Sequence, residues 1–155
     1  MNENKLLLCN VDNLERARFF YRMNKACKNK NIVIFYITQS YASYMWLKYR
    51  GEKVEFLRIQ KVKDKNILEI DIENVLKKTI DFQLKKCTLN DCINMFYSTI
   101  TCLENIEKYR HIDYIFSWSG YKITDYACRT FVKNNNTSIL FFEKIKLSCA
   151  SHNCL

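Results

Sequence analysis

Unbroken apolar runs alternate along this chain with apolar stripes spaced by three and four residues. Lys5–Val11 (KLLLCNV) is such a run, with the length of a buried strand. Asp12 or Asn13 can cap the helix that follows, in which Ala17, Phe20, Met23 and Cys27 fall on one face. After a polar break at 28–31, Ile32–Ile37 (IVIFYI) is apolar throughout and reads as a central strand covered on both faces. Thr38-Gln39-Ser40 opens a helix with Ala42, Met45, Trp46 and Tyr49 on one side, and Gly51 ends it. Lys53–Ile59 alternates like a more peripheral strand. Leu68, Ile72, Val75, Leu76 and Thr79 make one helical stripe. Thr88, with Asp91 in the first turn, starts a long amphipathic helix through Leu103. Ile112–Phe116 is a fourth strand, Ile123 to Phe131 a helix, and Ser138–Phe142 a fifth strand.

Residues 5–59 thus read β-α-β-α-β, which requires parallel strands and right-handed crossovers. The predicted fold is α/β: a Rossmann-like open, mostly parallel sheet of about five strands with helices on both faces. Ligands of such sheets bind outside the carboxyl ends of the strands. That rule selects Asn10, the Thr38, Gln39 and Ser40 turn, the loop Ser117, Trp118, Ser119 and Gly120, and Glu143. A G-x-G-x-x-G fingerprint and a P-loop are both absent, which argues against nicotinamide or flavin dehydrogenases and P-loop nucleotidases. No cofactor is expected.

The composition narrows this further. The chain has 155 residues, no proline and two glycines, which disfavours a sandwich or barrel of many short strands. An apolar fraction of 48% supports a packed core, yet no run reaches the ~20 residues of a spanning helix. The polar start leads into too short an apolar run for a secretory signal, so a cytoplasmic location is expected. The net charge of +9 is uneven: residues 1–62 carry 12 basic and 5 acidic side chains, a balance of +7. A basic half suits an anionic partner, but no nucleic-acid motif accompanies it, and nucleic acid is not expected. Of the eight cysteines, only Cys87/Cys92 and Cys149/Cys154 are close in sequence. Without a signal peptide, disulfides are not expected. Cys149, His152 and Cys154 form the one cluster with ligand types for zinc, weighed against an unpatterned tail over 148–155. His111 precedes the fourth strand at its amino end, the wrong edge for a site.

Residues 113–143 (DYIFSWSGYKITDYACRTFVKNNNTSILFFE) carry a resemblance. An apolar strand, a Trp-x-Gly loop, a helix, a polar turn and a strand ending Phe-Phe-Glu resemble the N-terminal domain of bacterial capsule polysaccharide biosynthesis proteins, the group that includes β-Kdo linker glycosyltransferases. Trp118, Gly120, Phe141, Phe142 and Glu143 match the pattern. Ser119 departs from it, standing where Asn is usual. The beginning is also similar, from RARFFYRM through IVIFYIT to Gly51. The resemblance implies a two-domain, GT-B-like glycosyltransferase with residues 1–147 as its acceptor-side domain. A second domain, absent from this sequence, would hold the activated sugar, a CMP-linked one in the Kdo branch. The chain is then expected to be a truncated product or half of a split enzyme, with little or no transferase activity alone. A partner chain would supply the donor domain. A lipid-linked saccharide is the implied acceptor, and the basic half would meet anionic lipid at the inner membrane.

Each candidate also has a plain structural reading. Glu143 can serve as the catalytic carboxylate, or cap a helix or pair with Lys144 or Lys146. Trp118 can stack on a sugar or plug the core. Gly120 permits a turn with positive φ. Ser117 and Ser119 can donate to a ligand or satisfy the turn. Asn10, Thr38, Gln39 and Ser40 suit helix caps as well as ligand contacts, and Asp125 suits the first turn of its helix. Two other functions stay open: a small binding module for a nucleotide, phosphosugar or nucleic acid, and a zinc-bound regulatory module.

Overall fold

The computed structural model describes residues 4–27, 31–61 and 70–142. The chain forms β1 (Lys5–Val11), α1 (Leu14–Cys27), β2 (Ile32–Thr38), α2 (Tyr41–Tyr49) and β3 (Lys53–Phe56). It continues through α3 (Ile70–Leu76), α4 (Ile80–Gln83), α5 (Leu89–Tyr109), β4 (Tyr114–Ser117), α6 (Ile123–Asn134) and β5 (Ser138–Phe141). Every strand pair is parallel, in the order β3-β2-β1-β4-β5. The expected Rossmann-like α/β sheet is therefore the observed one.

The apolar run of β1 is unbroken because both of its faces are covered. Leu6 and Leu8 point into a layer built with Leu103 of α5 and Cys128 and Phe131 of α6. Leu7, Cys9 and Val11 point the other way, against Ala17 and Phe20 of α1 and Leu47 of α2. A further layer, with Leu76, Ile93, Phe96 and Ile123, packs α3 and α4 onto the outer side of α5 and α6. The chain moves outward from β1 to β3, then returns through α3–α5 to β4 on the far side of β1. The strand order reverses between β1 and β4, and the carboxyl edge there is where a crevice opens in such sheets.

Local chemistry places the element ends. Asn13 caps α1, its Oδ1 accepting from the Arg16 amide at 3.0 Å, while Asp12 turns elsewhere. Thr88 accepts from the Asp91 amide and Asp91 accepts from the Thr88 amide, the reciprocal cap expected for α5. Gly51 has φ +73° and follows α2.

Three expectations shift. Of the helical stripe from Leu68 to Thr79, Leu68 lies outside the described residues, α3 ends at Leu76, and a separate short helix, α4, follows from Ile80. The Thr79 hydroxyl donates to the Leu76 carbonyl, and the Ile80 amide to Tyr121 O across the fold. Strand β3 stops at Phe56, and by Gln60 the backbone amide donates to the Ser98 hydroxyl on α5. Strand β4 begins at Tyr114 rather than Ile112, whose amide is held by the Glu107 carboxylate.

Candidate functional site at the carboxyl edge

Asn10 is the last residue but one of β1, and its side chain lies at the start of α6. Its Nδ2 donates to Ser117 Oγ at 3.0 Å, Thr124 Oγ1 at 3.2 Å and Asp125 Oδ1 at 2.9 Å. Ser117, the last residue of β4, donates to the same Asp125 oxygen. The other Asp125 oxygen accepts from the Lys122 amide at 3.1 Å and faces the Ser119 hydroxyl at 3.4 Å. Asp125 does sit in the first turn of α6, as its sequence position suggests. It is also buried, and it clamps the ends of β1 and β4 to that helix.

Above this network lies a crevice of about 150 Å³. Asn10, Asp12, Gln39, Lys122 and Thr124 line it together with Asp81, Lys86, Cys87 and Met95. Asp12 Oδ2 pairs with both Arg16 and Lys122. Its Oδ1 is buried with no hydrogen-bond partner, and so is the Gln39 side-chain nitrogen. Both residues line the crevice, so a carboxylate and a side-chain amide stand on its wall.

The remaining sequence candidates have structural duties. Thr38 Oγ1 accepts from the Ser40 amide at 3.1 Å, and Ser40 Oγ accepts from the Ser43 amide at 3.2 Å, capping α2. Trp118 packs edge-on against Phe19 and Phe20 and stacks on Phe142. The Arg16 guanidinium covers it, 5.0 Å from the ring centre, so the Trp118 loop and Asp12 share one cation. Gly120 has φ +76°, and a Cβ there would lie 2.3 Å from Arg129 Nη2. Glu143 lies outside the described residues, as do Cys149, His152, Cys154 and the rest of 143–155.

Sequence reasoning missed Asp12, Lys122 and Thr124 as crevice residues. Asp12 was within reach of the strand-end rule, since it follows β1 directly. Lys122 carried no signal, because the proximity of residues so distant in sequence is visible only in the fold. His111 lies at the opposite edge, held by Glu107 at 2.6 Å. Among the described residues, no group of three or more His, Cys, Asp or Glu side chains could hold a metal ion. Among the same residues, no helix is long and apolar enough to cross a membrane.

A larger cavity of about 510 Å³ lies between α5 and the β2–β3 side of the sheet. Leu6, Val33, Phe35, Leu57 and Ile106 form its walls, and it adjoins Gln60, close to where the chain leaves the described residues. It lies on the β2–β3 side of the sheet, away from the strand-order reversal, so the smaller crevice is the better candidate site.

No protein-family model and no curated protein matches the chain. Among solved structures it is similar to a glycosyltransferase from Rickettsia africae ESF-5, with a TM-score of 0.57 and 12% identity. That match covers 91% of this chain and 30% of the glycosyltransferase. The likeness is one of fold. A pantoate-beta-alanine ligase from Francisella tularensis, solved with beta-gamma ATP and beta-alanine, matches at a TM-score of 0.47 and 13% identity, over 92% of this chain and 60% of the ligase. This chain accordingly has a Rossmann-like fold of a kind found in a glycosyltransferase, and spans under a third of that protein's length.

Proposed function

We propose that this chain is the acceptor-side, saccharide-binding domain of a capsule-type glycosyltransferase and is inactive alone. The observation that carries this reading is the crevice at the strand-order reversal, where Asn10, Asp12, Gln39, Lys122 and Thr124 bring hydrogen-bonding side chains together. A saccharide presents several hydroxyls, each able to donate to a carboxylate such as that of Asp12 and to accept from an amide such as that of Gln39. The crevice has about half the ~300 Å³ of a small drug pocket, which suits one sugar unit rather than a dinucleotide. Lys122 holds the Asp12 carboxylate in place by an ion pair.

In this reading the donor sugar comes from a second domain or partner chain, and the acceptor is lipid-linked. The acceptor oxygen bonds to the anomeric carbon as the nucleotide leaves, and the hydroxyl proton passes to Glu143. The capsule-type assignment, with CMP-Kdo as donor, rests on the Trp118-x-Gly120 and Phe141-Phe142-Glu143 pattern. Contact of the basic N-terminal half with an anionic membrane surface belongs to the same proposal.

The test is a titration of the isolated chain with free Kdo and with N-acetylglucosamine, followed by ¹H–¹⁵N NMR. Shifts at the Gln39 side-chain amide are expected, and Gln39→Ala and Asp12→Asn should each weaken binding about tenfold, the loss of one hydrogen bond. Binding that both variants leave unchanged, or no binding at millimolar sugar, overturns the reading. Lys86 on the crevice wall favours a second reading, a phosphosugar or nucleotide. Under that reading CMP binds alone, and its affinity falls steeply with salt.

A further inference from the structure

The turn between α4 and α5 brings two thiols together beside the crevice. Cys87 precedes the Thr88 cap, and Cys92 lies in the first turns of α5; their Sγ atoms are 3.2 Å apart. Cys87 lines the crevice and is half-exposed, whereas Cys92 is fully buried behind it. A covalent S–S bond is about 2.05 Å, so the two sulfurs stand roughly an ångström from bonding. The partners differ in access, as an attacked thiol and a resolving thiol should.

We propose that Cys87 and Cys92 form a reversible oxidation site that takes peroxide as its oxidant and closes to a disulfide beside the crevice. The Cys87 thiolate attacks one peroxide oxygen; the S–O bond forms as O–O breaks, and the departing hydroxide takes a proton to become water. Cys92 sulfur then attacks the Cys87 sulfenic sulfur. The S–S bond forms, S–O breaks, and the Cys92 proton leaves with the hydroxide as a second water. Two thiols have been oxidised and one peroxide reduced. A dithiol reductant reverses the bond by exchange.

The rest of the described thiols make this pair selective. Cys9 and Cys128 are fully buried. Burial pushes Cys102 up to about 12 and Cys128 well above the usual thiol range. Burial together with the neighbouring Cys87 pushes Cys92 up to about 12, so it waits as a thiol until the sulfenic acid is presented to it. Closure ties Lys86 and Cys87, and with them one wall of the crevice, to the first turn of α5.

The experiment is differential alkylation of the full chain before and after stoichiometric hydrogen peroxide, read by peptide mass mapping. The expected result is joint loss of alkylation at Cys87 and Cys92, a Cys87–Cys92 link about 2 Da lighter than the dithiol, and full recovery with dithiothreitol. In Cys87→Ser, the Cys92 thiol should stay alkylatable after peroxide and denaturation. Accumulation of Cys87 sulfinic acid with Cys92 still free overturns the proposal. So does a link from either residue to another cysteine, or protection of Cys92 in Cys87→Ser. These readouts do not involve saccharide binding, so the oxidation site and the proposed function fail or stand separately.

Discussion

The Asn10 side chain offers two hydrogens to three oxygens, those of Ser117, Thr124 and Asp125. One acceptor is a buried carboxylate, and a hydrogen bond to a charged group is worth more than a neutral one. Asn10→Ala should therefore lower unfolding free energy by about 3 kcal/mol in a urea titration, part of it from leaving Asp125 less satisfied. Asn10→Asp places a second carboxylate against Asp125. Like charges raise the pKa of the pair, so this variant should be least stable at neutral pH and regain stability as pH falls and one carboxyl takes a proton. The parent protein should show only the small gain that comes from the Glu107–His111 contact on the same pH series. Gly120 tests a different constraint. Its φ of +76° disfavours any Cβ, and the Arg129 guanidinium that a Cβ would meet lies over the Phe141 ring at 4.5 Å. Gly120→Ala should cost about 2 kcal/mol in strain and displaced cation–π contact, seen as a lower melting temperature.

At the scale of elements, α5 ends in a titratable contact. Glu107 holds His111 by a hydrogen bond and by its charge, which together raise the imidazole above its usual 6.5. A raised folded pKa means that the stabilisation is fully present below 6.5 and is lost as pH rises through the folded value. The pair is half-exposed, so the stability change is small and the sensitive readout is the ring itself. The His111 ring protons should titrate above 6.5 by NMR, and Glu107→Gln should bring the midpoint back down. This helix was legible in the sequence, with Thr88 and Asp91 marking its start and an apolar stripe its length. The strands β1 and β2 were legible as well, because a strand buried on both faces leaves an unbroken apolar run. The helix α4 was not, since its start depends on Ile80 N reaching Tyr121 O, a contact that spacing cannot reveal. The same limit applied to the site. Strand ends pointed to Asn10, Gln39 and Ser117, but convergence with Lys122, Thr124 and Asp125 is a property of the folded sheet.

Across the whole molecule, the sheet order decides which apolar residues matter. Sequence alone made Leu8 and Leu140 equivalent, as apolar residues within strands. The order β3-β2-β1-β4-β5 places Leu8 at the centre and Leu140 on an edge strand. Leu8 is 0% exposed, with α5 and α6 packed over it, whereas Leu140 is 51% exposed and belongs to none of the buried clusters. Leu8→Ala should therefore remove transfer energy and leave a cavity that the two helices cannot close, a loss of about 3–4 kcal/mol. Leu140→Ala should change stability by under about 0.5 kcal/mol, the range of an exposed substitution. Against a typical domain stability of about 5–15 kcal/mol, the first variant sits near the limit of folding and the second is indistinguishable from the parent. Urea midpoints measured side by side check this, with equal slopes showing that both variants unfold from the same sheet. A Leu140 loss equal to that of Leu8 would mean that something covers the β4–β5 face in the folded chain.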